Sequence, residues 1–202
     1  MKASHIGATL LALFWMMSTT APAADIEAGK MKSVVCAACH GADGNSSSGA
    51  FPSLAGQHAS YLVKQLKEFK SGVRKEATMQ GMASILSDLD MENVGAYYAS
   101  QKAKPVAFDG DLIEKGEAIY RGGIAEVSVA SCMSCHAPSG MGNGPAGWPS
   151  LKGQHPEYIA AQLNKFKNNQ RDNDAGRMMR NVAARMSDAE INAVSAYIAG
   201  IQ

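Results

Sequence analysis

The 202-residue sequence lacks a charge excess of either sign. Its 19 basic and 18 acidic residues leave a formal net charge of +1, whereas a chain that binds nucleic acid normally carries a basic face or stripe. The alternating apolar and polar pattern that indicates β-strands is also missing. We therefore expect an all-α fold and no nucleic-acid partner.

Long apolar runs are absent after the N-terminus. Residues 6–17 form an apolar run that follows a short polar start, and small residues of the A-x-A type occupy positions 21–23. This order is typical of a secretory signal peptide, which we assign to residues 1–23. An uncleaved anchor is the alternative, but the run is short for a span of about 20 residues. Export places the protein in the periplasm.

Cysteine is scarce: the chain has four, and all of them lie in two five-residue motifs with the spacing C-x-x-C-H. This spacing is the attachment signature of c-type haem. Two thiols form thioether bonds to the porphyrin edge, and the histidine that follows can ligate the iron. The residues concerned are Cys36, Cys39, His40, Cys132, Cys135 and His136. The sequence therefore predicts two covalently bound haem C groups with His40 and His136 as axial iron ligands.

Three other uses of the cysteines fit less well. A redox-active dithiol needs a strand–helix context and a low-pKa first cysteine. A four-cysteine zinc site usually separates its two pairs by about 15–20 residues, whereas Cys39 and Cys132 lie 132 − 39 = 93 positions apart. A disulfide within C-x-x-C is strained and closes a loop of little value to stability.

The chain contains an internal repeat of one unit in two copies. Each haem motif is followed by the same short sequence motifs in the same order. The matching pairs of ranges are 51–54 with 148–151, 56–58 with 153–155, and 86–88 with 186–188. We expect a first domain at 24–100, a linker at 101–109 and a second domain at 110–202. The sequence pattern of each copy predicts three helices joined by loops. Domains of this size are marginal on their own side chains, and a covalent haem supplies an apolar centre.

Two paired features predict contacts inside each domain. Gly29 and Gly116 occupy matching helical positions, where glycine costs about 1 kcal/mol relative to alanine. Close approach of Tyr97 or Tyr197 on a second helix explains them, and frayed helix starts are the alternative. Pro52 and Pro149 follow the two haem motifs. Their carbonyl oxygens are candidate acceptors for the second ring nitrogen of each haem histidine.

The repeat also sorts the candidates for the second axial ligand. Of twelve methionines, Met79 and Met179 stand at equivalent positions, in a stretch expected to be poor in helix before the last helix of each copy. A histidine–methionine ligand set raises the reduction potential and suits electron transfer. His58 and His155 are also paired, so bis-histidine ligation stays open.

The repeated sequence motifs resemble those of the c-four family of dihaem cytochromes, which carry two class I cytochrome c domains in tandem. The matching stretches are 36–45, 51–57, 61–66, 86–90, 132–138, 147–155 and 179–184. The resemblance implies haem C at both motifs, with His40 and Met79 on one iron and His136 and Met179 on the other. It also implies two small helical folds, each wrapped around its haem.

The same resemblance implies a function. The family carries electrons in the periplasm between a quinol-oxidising cytochrome bc complex and a terminal oxidase or other terminal reductase, and some relatives associate with the membrane surface. We therefore expect an electron carrier with no catalytic residues. The alternatives are a dihaem enzyme such as a peroxidase, or an electron-transfer subunit of a dehydrogenase.

Overall fold

The computed structural model describes residues 23–106, 110 and 112–201. The predicted signal peptide lies outside these residues except for Ala23, as do three positions of the expected linker. Within these described ranges, ten α-helices follow one another: α1 Ile26–Lys32, α2 Ala37–His40, α3 Ala59–Ser71, α4 Ala77–Ser84, α5 Asp88–Ser100, α6 Ile113–Gly122, α7 Met133–His136, α8 Pro156–Lys167, α9 Met178–Ala183 and α10 Asp188–Gly200. Short 3₁₀ segments at Ser33–Cys36, Ala125–Val127 and Ala175–Arg177 complete them.

The all-α expectation is confirmed. In the described ranges, β-pairing is limited to two isolated bridges, Ile124 with Val129 and Asn143 with Trp148. None of the helices placed there combines the length and the apolar character that a bilayer crossing requires. Helices α1–α5 form one copy of the repeat and α6–α10 form the other.

In both copies the first and last helices cross at a glycine. A Cβ built on Gly29 would collide with the Asn93 carbonyl of α5 and touch the Cβ of Tyr97. Gly116 meets α10 in the same way, beside Tyr197. The predicted close approach is confirmed, because any larger residue would push the two helices apart.

The last helix of each copy is capped by a serine at its N-terminus. The Ser87 hydroxyl accepts from the Asp90 backbone N–H at 3.1 Å, while the Asp90 carboxylate accepts from the Ser87 N–H at 2.9 Å. Ser187 and Glu190 make the same reciprocal pair at α10. Each capping box satisfies two backbone donors that the first turn of a helix leaves open.

The expectation of three helices per copy is wrong, because two short helices are added in each. The haem motifs end in the four-residue helices α2 and α7. Met79 lies inside α4 rather than in a helix-poor stretch, since the Glu76 carboxylate accepts from the Met79 N–H at 2.7 Å and starts that helix. Met179 is the second residue of α9.

Candidate haem sites

Each haem motif presents its histidine on a single helical turn. His40 is the last residue of α2 and is 6% exposed. Its Nδ1 lies 2.8 Å from the carbonyl oxygen of Pro52. A carbonyl can only accept, so Nδ1 carries the proton and Nε2 keeps its lone pair. His136 is held in the same way by Pro149 at 2.9 Å. The predicted role of the two proline carbonyls is confirmed.

Burial sets the protonation state of these groups. It lowers the pKa of His40 and His136, against a smaller opposing effect of the proline carbonyls. Each imidazole is therefore neutral at pH 7, the form that ligates a metal. Burial also raises the pKa of the Cys36 thiol and raises the pKa of the Cys132 thiol to about 11.

The two motifs open into one cavity of about 930 Å³ between the two copies. On the side of the first copy, its wall carries Cys36, Cys39, His40 and Met79. On the side of the second copy it carries Cys132, His136 and Met179. Cys135 is the one predicted site residue that does not line it, although it is partly buried in the same turn as His136.

Most of the remaining wall is apolar, as a porphyrin requires. Leucine, isoleucine, valine and phenylalanine side chains of α3, α5, α8 and α10 line it: Leu62, Phe69, Val94, Ile159, Leu163, Phe166, Val194 and Ile198. The cavity borders the apolar cores of both small domains. Protein interiors normally hold few voids larger than a water molecule, so the cavity fits a large flat group in each domain.

A buried hydroxyl on the wall supports the same reading. Tyr98 is 1% exposed, and in the described part of the chain its hydroxyl has no hydrogen-bond partner. A buried hydroxyl left unsatisfied costs about 1–3 kcal/mol. The four cysteines are free thiols. The residues present thus fit a covalently attached haem in each copy.

Met79 and Met179, the predicted second ligands, both lie on the cavity wall. The rival histidines, His58 and His155, do not line it. Among the described histidines, only His40 and His136 line the cavity. His58 Nε2 instead lies 2.9 Å from the Met141 carbonyl oxygen.

His155 is used in the corresponding way. Its Nε2 lies 2.8 Å from the Ser46 carbonyl oxygen, in the other copy of the repeat. The paired histidines therefore join the two domains at helix starts, and the structure gives bis-histidine ligation no support.

Two arginines on the cavity wall were missed by the sequence reasoning. Arg74 donates across the domain boundary to the Tyr158 hydroxyl and to Gln162 Oε1, each at 3.0 Å. Arg171 donates back to the Tyr61 hydroxyl at 2.9 Å and to Gln65 Oε1 at 3.1 Å.

The repeat contains the signal that would have found them. Arg74 and Arg171 are 171 − 74 = 97 positions apart, the same offset as Gln65 and Gln162 (162 − 65 = 97). In the described ranges neither guanidinium forms an ion pair within 4 Å with a carboxylate. Both guanidinium groups lie on the cavity wall, as do Lys75 and Lys165, and such cations suit the carboxylate side chains of haem.

Comparison with known proteins identifies the fold. The cytochrome c family model matches residues 26–102 and 113–202. A cytochrome c4 of Azotobacter vinelandii is 43% identical over 96% of this chain and 97% of its own length. The crystal structure of reduced recombinant cytochrome c4 from Pseudomonas stutzeri superposes with a TM-score of 0.86 at 45% identity, covering 89% of this chain and 100% of that one. A thiosulfate dehydrogenase electron acceptor of Stutzerimonas stutzeri is 40% identical over 83% of this chain and 79% of its own.

Proposed function

The chain belongs to the cytochrome c family, and within it to the dihaem cytochromes c4, and on that premise we propose that it carries electrons through the periplasm from a quinol-oxidising cytochrome bc complex to a terminal oxidase or reductase. It is a dihaem electron carrier with two covalently bound haem C groups. The observation that carries the proposal is the single cavity into which both haem motifs open.

We propose that Cys36 and Cys39 bind the first haem and that His40 and Met79 are its axial ligands. Bound haem iron supplies a one-electron ferrous–ferric couple. The proton on Nδ1 of His40 is fixed by the Pro52 carbonyl at 2.8 Å, which leaves Nε2 free to ligate. Met79 supplies a soft thioether from α4, and an imidazole–thioether pair favours the reduced state.

The second site is proposed to repeat this arrangement with Cys132 and Cys135 as attachment points. His136 and Met179 are then the axial ligands. His136 has its proton fixed by Pro149 at 2.9 Å. The shared cavity supports direct passage of electrons between the two sites, and apolar side chains around both exclude water from them. The near-equivalence of the two sites argues against a peroxidase, in which one iron keeps an open face.

The first test is spectroscopic and uses the mature haem-loaded protein. Intact mass should show two added haems, and both ferric sites should be six-coordinate and low spin with the weak far-red sulfur-to-iron band. Met79→Ala should remove this band from one haem only, because each methionine serves its own site. Met82→Ala is the matched control. Met82 also lines the cavity, but the equivalent position of the second copy is Val182, which cannot ligate iron.

Other results would contradict the assignment. A full far-red band in Met79→Ala would exclude Met79 as a ligand. Loss at both haems would show that the two sites are not independent. High-spin signal at one site of the unaltered protein would favour the dihaem enzyme.

One relative favours a second donor. The electron acceptor of a thiosulfate dehydrogenase is 40% identical to this chain, so we propose as the alternative that the electrons come from a sulfur-oxidising dehydrogenase. Stopped-flow reduction by each donor separates the two routes. Fast reduction by the bc complex supports the leading proposal, and fast reduction by thiosulfate dehydrogenase alone supports the second.

We also propose peripheral association with the membrane surface. Sedimentation with anionic vesicles tests it.

A further inference from the structure

Two glutamines reach across the domain boundary to the loops that hold the haem histidines. The Gln57 side-chain amide pairs with Ser150: its Oε1 accepts from the Ser150 N–H at 2.9 Å, and its Nε2 donates to the Ser150 carbonyl at 2.8 Å. Gln154 pairs with Ser53 in the same way, at 2.9 and 3.0 Å. Both glutamines are 8% exposed.

These contacts fall on one particular peptide unit. The Ser150 N–H and the Pro149 carbonyl are the two ends of the same planar peptide. His136 Nδ1 donates to that carbonyl at 2.9 Å. A continuous chain therefore runs from the His136 ring, through the Pro149–Ser150 peptide, to Gln57 in the other domain.

The first domain has the mirror arrangement. His40 donates to the Pro52 carbonyl at 2.8 Å, and the N–H of the Pro52–Ser53 peptide donates to Gln154 Oε1 at 2.9 Å. Each haem histidine is thus supported by a glutamine of the opposite domain.

Hydrogen bonds in such a chain polarise one another. When the peptide N–H donates to glutamine, its carbonyl becomes a stronger acceptor for the histidine proton. A stronger bond at Nδ1 raises the basicity of the ligating nitrogen and holds the ring in one orientation. A more basic ligand stabilises the ferric state and lowers the reduction potential.

We propose that Gln57 and Gln154 are positioning residues that act across the domain boundary. Each sets the hydrogen-bond strength, and so the basicity, of the axial histidine of the haem in the other domain. Gln57 acts on the second haem through His136, and Gln154 acts on the first through His40. This inference rests on the proposed function, because it takes both histidines as iron ligands.

Potentiometric titration of the full-length haem-loaded protein tests it. Gln57→Leu should raise the potential of the second haem and leave the first unchanged; Gln154→Leu should do the reverse. The expected change is roughly two- to tenfold in the oxidation equilibrium, or about 18–59 mV for a one-electron couple. Repeating each titration with Met179→His, which lowers the potential of the second haem, assigns the two waves.

His58→Ala is the matched control. It removes another interdomain hydrogen bond, the 2.9 Å contact to the Met141 carbonyl, without touching either proline peptide. Both potentials should stay as they are in the unaltered protein. The Nδ1 proton resonance of His136 gives an independent readout, and it should move upfield in Gln57→Leu but not in His58→Ala.

Three results would overturn the proposal: no shift with Gln57→Leu, a shift in the first haem, or equal shifts in both. If Gln57→Leu does not yield haem-loaded protein, Gln57→Asn keeps the amide but shortens its reach, and the same crosswise shift is required. Unaltered protein without haem or without the far-red band would instead refute the proposed function. Two haems with normal spectra and no crosswise shift would refute only this inference.

Discussion

Gly29 shows how a single missing methyl group sets the geometry of a domain. Gly29→Ala should destabilise the haem-loaded protein by about 1–3 kcal/mol, because the new Cβ collides with the Asn93 carbonyl, a backbone atom that cannot swing aside. Gly81→Ala is the matched control: it lies inside α4 with nothing within 4 Å of the added Cβ. It should stabilise by about 0.4–1 kcal/mol. Guanidinium unfolding curves measure both, and a neutral Gly29→Ala would refute the packing argument.

Residue-level reasoning from the sequence succeeded where the partner was local. The carbonyl of Pro52, twelve positions from His40, is a predicted candidate acceptor because a ligating histidine usually donates its second ring N–H to such a group, and the 2.8 Å contact confirms it. The assignment of Met79 stays a prediction. Gln57 was missed because its partner Ser150 is 93 positions away. A repeat shows which residues are equivalent, but it does not show which copy each one touches.

At the scale of the element, the capping box of α5 predicts a pH dependence. Hydrogen bonds from the backbone and hydroxyl of Ser87, with help from Lys32, lower the pKa of Asp90 to about 2. A pKa below that of the unfolded chain means that the carboxylate contributes stability above about pH 4, and that this contribution is lost as the pH falls through about 2.

Asp90→Asn should therefore cost roughly 1 kcal/mol near pH 6. Its difference from the unaltered protein should shrink steadily between pH 5 and 2.5, because the unfolded chain then binds a proton at Asp90 that the native carboxylate, with its lower pKa, does not yet bind. Urea unfolding at a series of pH values measures this difference. A gap that stays constant over that range would show that the charge of Asp90 does not support the cap.

Helix prediction failed for the shortest elements. Helix α2 has four residues and α9 has six, and neither is long enough to show a 3.6-residue apolar period. Such helices depend on their surroundings: α4 starts on the Glu76 carboxylate. The Asp174 carboxylate accepts from the Arg180 N–H at 3.0 Å and holds the guanidinium of the same residue in α9. The longer helices α5 and α10 each carry a full serine capping box, and a last helix in each copy is what the sequence predicts.

At the scale of the whole molecule, the repeat gives the interface an approximate two-fold symmetry. Arg74 and Arg171 each stack 4.5 Å over a phenylalanine ring of their own domain and each donate to both Gln65 and Gln162. Tandem domains were predicted from the sequence, but this reciprocal exchange was not. It depends on how one folded copy docks on the other, and the order of residues along either copy does not specify that.

Shared acceptors make the two arginines energetically coupled. Arg171→Lys should destabilise the protein by about 1–3 kcal/mol, because lysine keeps the charge but cannot reproduce the forked contacts to Tyr61 and Gln65. Arg121→Lys, at an exposed i,i+4 pair with Glu117, is the matched control and should leave the unfolding curve unchanged. Arg74→Lys combined with Arg171→Lys should depart from additivity by at least about 0.5 kcal/mol, measured by guanidinium unfolding followed at the haem absorption. Additive losses would mean that the two domains, although joined by these contacts, do not stabilise each other through them.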